Sequence, residues 1–69
     1  MNSYEQWEGL MLLAREHKLD VDDDPIFGIR IGRKRYHYHL TASIALLVAF
    51  DKVGIPVPPT LRERPDDLD

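Results

Sequence analysis

From Ala42 to Val53 the chain offers almost no polar side: Ala42, Ile44, Ala45, Leu46, Leu47, Val48, Ala49, Phe50 and Val53 are interrupted only by Ser43, Asp51 and Lys52. Thr41 or Ser43 supplies an N-cap, and the segment reads as a helix running to about Val53. Gly54, with Ile55 behind it and Pro56 next, matches a Schellman-type stop in which glycine takes the left-handed conformation. A helix apolar all round must be covered on several sides. Yet the chain has only 69 residues, and a domain of that size buries roughly 60% of the surface its unfolded form exposes. Without cysteine, neither a disulfide nor a thiolate metal site can staple it. Either the rest of the chain wraps this helix, or another chain does.

An earlier segment supplies one partner. Tyr4, Trp7, Leu10, Met11 and Ala14 recur at three- and four-residue spacing, and Leu12 and Leu13 widen the stripe. Ser3 stands three residues before Gln6, the capping-box spacing. Glu5 and Glu8 at the start and Arg15, His17 and Lys18 at the end suit the helix dipole. The pattern predicts a helix from about Tyr4 to Leu19. Asp20-Val21-Asp22-Asp23-Asp24-Pro25 then breaks it: four carboxylates repel one another and Pro25 disfavours helix at Asp24. This stretch is expected to be a loop.

Next come two alternating runs. Phe27, Ile29 and Ile31 alternate with Gly28 and Arg30, and Tyr36, Tyr38 and Leu40 alternate with His37 and His39. Gly32-Arg33 between them fits a two-residue type II′ turn, with Ile29 facing Tyr36 and Phe27 facing Tyr38. A four-residue loop from Gly32 to Arg35 would preserve the same faces. The expected fold is α+β, a single small domain ordered helix, β-hairpin, helix, with both helices packed on one face of a short antiparallel sheet. Residues 1–55 form the compact part. Residues 56–69 hold four of the five prolines and read as an extended C-terminal tail, with Val57 and Leu61 touching the core.

Composition excludes more than it identifies. At 43% hydrophobic and 30% charged residues the chain is ordinary globular material. The N-terminus lacks the pattern of a signal peptide, and the run from Ile44 to Phe50 is far too short to span a bilayer. A cytoplasmic location is expected. Catalysis finds no support: there is no cysteine nucleophile, no nucleophile elbow around Ser3 or Ser43, and no Gly-rich phosphate loop.

Three groups of residues can carry binding. Arg30, Arg33, Lys34 and Arg35 gather four of the nine Lys and Arg residues, and His37 and His39 continue on the strand face of Arg30 and Arg35. Cations beside Tyr36 and Tyr38 suit nucleic acid, although alternation sends tyrosines and cations to opposite faces and the net charge is −3. Asp20, Asp22, Asp23 and Asp24 can face a basic partner, or simply balance the basic hairpin. They lack the Gly and terminal Glu of a calcium loop. His37 and His39 share a strand side, but no spacing specifies a third ligand from His17 or the aspartates, so no metal and no cofactor is expected. Pro56-Val57-Pro58-Pro59 with Arg62 matches a polyproline ligand only loosely.

The third group is apolar. If the second helix is not fully wrapped, Leu46, Leu47, Phe50 and Val53 join Trp7 and Met11 at a partner or homodimer interface. The leading expectation is a small non-catalytic protein-binding module, an inhibitor or adaptor of the kind phages and mobile elements encode, with homodimerisation. The alternative is a dimeric nucleic-acid-binding regulator using the basic hairpin. No membrane role is expected.

Overall fold

The computed structural model describes residues 1–67. Two helices lie on one face of a three-stranded antiparallel sheet of order β1-β2-β3, giving a flattened body of 29 × 29 × 16 Å. The elements run α1 (Ser3–Glu16), β1 (Val21–Asp24), β2 (Gly28–Ile31), β3 (Lys34–Tyr36), α2 (His39–Val53) and a short 3₁₀ turn (Pro59–Arg62). The α+β class and the packing of both helices on the sheet agree with the sequence pattern. The strand count does not, since the acidic stretch forms a third strand.

α1 starts one residue earlier than its capping signal suggested. Asn2, not Ser3, is the N-cap: its side chain accepts from the Glu5 N–H at 2.8 Å, and the Glu5 carboxylate accepts from the Asn2 N–H at 3.1 Å. Two orphan donors are thereby satisfied reciprocally. The helix ends before Leu19 because Lys18 takes a left-handed φ of 57°. The Leu19 N–H then reaches back to the Ala14 carbonyl at 2.9 Å, a glycine-type stop made without glycine.

That early stop is why the aspartates form a strand. The chain leaves α1 directly into β1, which pairs Val21 with Ile31, Asp22 with Arg30, Asp23 with Ile29 and Asp24 with Gly28. Aspartate is a poor strand former, but here the carboxylates of Asp23 and Asp24 accept hydrogen bonds from within the chain and Asp22 stands opposite Arg30. The hairpin beyond has Ile29 opposite Tyr36 and Ile31 opposite Lys34, with Gly32-Arg33 as the two-residue turn. Gly32 has φ 61° while Arg33 is not among the left-handed residues, which fits type II′. The expected pairing of Phe27 with Tyr38 does not form: both lie outside the strands, and Tyr38 is the N-cap of α2.

α2 begins at His39, before either expected capping residue, and no side chain among the described residues caps it. The Thr41 hydroxyl donates to the Tyr38 carbonyl at 2.9 Å. Gly54, φ 79°, closes the helix as expected, with the Ile55 N–H bonded to the Phe50 carbonyl at 2.9 Å.

Trp7, Leu10, Met11 and Ala14 of α1, Ile29 of β2, and Ala42, Leu46 and Phe50 of α2 make the core. Ser43 is buried among them, and its hydroxyl has no hydrogen-bond partner among the described residues. A buried unsatisfied hydroxyl costs about 1–3 kcal/mol. Ser43→Ala is therefore expected to stabilise the chain by about 1 kcal/mol, raising the melting temperature by roughly 4–8 °C. Thermal unfolding followed by circular dichroism checks it, and a lower melting temperature would show that the hydroxyl has a partner.

The tail runs back over α1. The Gln6 side-chain amide donates to the carbonyls of Leu61 and Glu63, each at 2.9 Å. Leu61 packs on the core where Gly9 leaves room, since a Cβ at Gly9 would lie 2.6 Å from a Leu61 methyl. Val57 also packs against the core, Pro65 is buried, and Ser3 donates to Asp67 through both its N–H and its hydroxyl. An ion pair between Arg62 and Asp51 joins the 3₁₀ turn to α2.

Candidate interaction surfaces

The periodicity of α2 decides which of its apolar residues remain available. Ala42, Ser43, Leu46 and Phe50 point into the core. At about 100° per residue, Ile44 and Val48 fall on the opposite side, and they are 56% and 49% exposed. Leu40 and Leu47 sit half-buried on one flank of this stripe, Ala45 and Ala49 on the other. On the Ala49 flank, Leu19, Val21, Ile31 and Ala49, together with Asp20 and Gly32, line a largely apolar groove of about 200 Å³. The outward face of α2 thus continues into a second apolar surface.

Most of the anticipated interface residues lie elsewhere. Trp7, Met11, Leu46 and Phe50 are buried within the chain, so the folded molecule cannot present them. Leu47 is half-buried, and Val53 is 63% exposed near the end of α2. Ile44 and Val48 were not distinguished by hydrophobicity alone. The signal that finds them is angular: once Leu46 and Phe50 are placed inward, Ile44 and Val48 must point outward.

The acidic run is partly engaged within the chain, although Asp20, Asp22 and Asp23 are exposed. Asp23, on the helix side of β1, accepts a hydrogen bond from the Trp7 indole N–H at 3.1 Å. Asp24 accepts from the N–H groups of Ile26 and Phe27 at 2.8 and 3.0 Å and so holds the β1–β2 turn. Asp20 lies 3.0 Å from the Arg30 guanidinium, and Asp22 stands directly opposite Arg30. Asp20, Asp23 and Asp24 thus have contacts inside the chain, and Asp22 faces Arg30 across the strands.

These contacts carry a pH signature. The Phe27 and Ile26 N–H groups hold the Asp24 carboxyl below the ordinary aspartate value, the Arg62 guanidinium does the same for Asp51, and Ser3 for Asp67. A carboxylate depressed in the folded state binds fewer protons than in the unfolded chain. Its contribution is fully present above the unfolded value, about 4 for aspartate, and is lost as pH falls through the folded value. The chain is therefore expected to keep its stability from neutral pH to about 5 and lose it progressively below about 4. Thermal melts across that range check this, and Asp24→Asn should flatten the acid slope.

The basic hairpin is divided among faces. Arg30 and Arg35 are cross-strand partners on the outer side of the sheet, and Lys34, one residue before Arg35, projects to the helix side. Arg33 occupies the turn. The Arg35 guanidinium lies over the exposed Phe27 ring, 5.6 Å from its centre. His37 and His39 do not continue this face as the alternation suggested. His37 lies past the end of β3, and His39 opens α2 with its ring edge-on to Tyr4 at 5.0 Å between centroids. The strand stops at Tyr36 because the helix starts, and that breaks the period-two projection. Among the described residues, no group of three His, Cys, Asp or Glu side chains is placed to hold a metal ion.

A shallow depression of about 410 Å³ at the start of α2 brings Ser3, His37, His39 and Asp67 to one rim. The Ser3 hydroxyl donates directly to Asp67 at 2.6 Å. A nucleophile needs a base to take its proton, with a third group orienting that base, and here the carboxylate occupies the hydroxyl with no histidine between them. No helix among the described residues is long and apolar enough to cross a membrane. No family model matches the chain, and no curated protein or solved structure shows significant similarity to it.

Proposed function

We propose that this chain is a small non-catalytic protein-binding module, an inhibitor or adaptor, whose docking face is the outward side of α2 with the apolar groove beside it. The observation that carries the reading is that Ile44 and Val48 stay about half exposed although Leu46 and Phe50 already complete the core. Apolar area of this kind contributes about 25 cal/mol per Å² when a partner removes it from water. A helix presenting i, i+4 apolar anchors beside a groove suits another helix or a protein surface.

Nucleic acid suits the geometry less well. Arg33, Lys34 and Arg35 diverge over a turn and two faces, and Asp20 and Asp22 flank Arg30 on the side where phosphates would approach.

The test is solution mass by light scattering at low and high salt, with Ile44→Asp and Val48→Asp compared with the parent chain. A salt-independent dimer that these variants dissociate means that the face is used for self-association. A monomer whose capture of a partner the same variants abolish means that the face is kept for a different protein. If folded variants change neither mass nor capture, the reading fails.

A further inference from the structure

The sheet ends in edges of opposite charge. β1 carries Asp22, Asp23 and Asp24, whereas β3 carries Lys34 and Arg35, with Arg33 in the turn before it. Ile31 and Lys34 flank a two-residue turn and so form a hydrogen-bonded pair, as do Ile29 and Tyr36. Arg35 lies between them and therefore turns its N–H and C=O away from β2. Among the described residues no strand lies beyond β3. Arg33, Lys34, Arg35 and His37 are all exposed. An open edge with unpaired backbone groups is a template for a further strand.

Charge says which strand fits. Arg35 lies on the outer face of the sheet and Lys34 on the helix side, so a run of consecutive carboxylates in an added strand meets a cation on each face. Opposite charges are already neighbours inside the sheet, where Asp22 of β1 stands opposite Arg30 of β2 and the Arg30 guanidinium lies 3.0 Å from Asp20. Across the outer face the row reads Asp22, Arg30, Arg35, and the place beside Arg35 is open. Symmetric pairing of two β3 edges would set these cations against one another, which is destabilising.

We propose that the β3 edge takes an extended acidic segment of a partner protein as a fourth strand. The proposal rests on the protein-binding reading for the class of partner, but on a surface separate from α2, so the two fail independently.

The probe is a synthetic peptide with three consecutive aspartates flanked by valines, titrated into the isotope-labelled full chain and followed by amide NMR. Saturable shifts confined to Arg33 through His37 are expected, with slowed hydrogen exchange at the Arg35 N–H. A peptide with asparagine in place of the aspartates should bind on the order of tenfold more weakly, and one N-methylated at the central backbone nitrogen should fail to protect Arg35. Arg35→Glu and Lys34→Glu, both at exposed positions, should each abolish binding, whereas Ile44→Asp should leave it intact. The proposal is overturned by an absence of shifts at β3, by equal binding of the asparagine peptide, or by binding without protection of Arg35. It is also overturned if a short single-stranded DNA oligonucleotide moves the same amides more strongly than the peptide does.

Discussion

Phe50→Ala is expected to unfold this protein at ambient temperature or leave it barely folded. Phe50 is fully buried where α2 meets α1 and the sheet. Truncating a buried Phe costs about 3–5 kcal/mol, part from lost transfer energy and part from the cavity left behind. A chain of this length has on the order of 3–10 kcal/mol of total stability, so one side chain can remove most of it. Urea denaturation followed by circular dichroism measures the loss. Val53→Ala on the same helix, at a 63% exposed position, should change stability by no more than about 0.5 kcal/mol. The pair separates two accounts of the apolar helix. Were Phe50 an interface residue, Phe50→Ala would yield a folded, dissociated chain instead of an unfolded one.

Gly28→Ala is expected to cost about 2–4 kcal/mol, combining a strained backbone with a close contact. Gly28 has φ 93°, a conformation that side-chain-bearing residues rarely adopt. In addition, a Cβ there would lie 2.7 Å from the Tyr36 carbonyl oxygen and 3.2 Å from the His37 imidazole. The carbonyl cannot retreat easily, because Tyr36 is held in register opposite Ile29. Gly54→Ala is the matched comparison: φ is 79° but nothing among the described residues lies within 4 Å of the added carbon. It should cost only the conformational part, about 1–2 kcal/mol. Equal losses for the two variants would mean that the contact at Gly28 relaxes freely.

Legibility along the chain followed the range of the interaction involved. The hairpin register could be read because it depends on a two-residue turn and a strict alternation, both local, and Ile29 stands opposite Tyr36 as expected. The end of α2 at Gly54 is equally local. The aspartate strand was illegible for the opposite reason. Nothing near Asp23 in the chain announces that its partner is the indole of Trp7, sixteen residues away, or that Arg30 will stand across from Asp22. Gln6 looked like half of a capping box and instead holds the returning tail through the carbonyls of Leu61 and Glu63. Gly9, unremarked within a helix, makes the seat for Leu61.

The candidate surfaces divide in the same way. That α2 has more apolar surface than a surface helix needs was evident from its composition, as was the concentration of cations around Gly32. Which apolar residues remain outside depends on the angle at which the helix meets its neighbours, and that angle turned Ile44 and Val48 outward while burying Leu46 and Phe50.

By itself, then, the sequence determined the helix–hairpin–helix order, the α+β class and the turn chemistry, because these follow from periodicity and from residues within a few positions of one another. Tertiary structure alone decided that the acidic stretch is a strand, that the sheet ends in one acidic and one basic edge, and that Gln6 of α1 ties down a tail whose contact with the core through Val57 and Leu61 was expected. Those outcomes depend on contacts between residues far apart in the chain, whose energies exceed local preference only once the elements have come together.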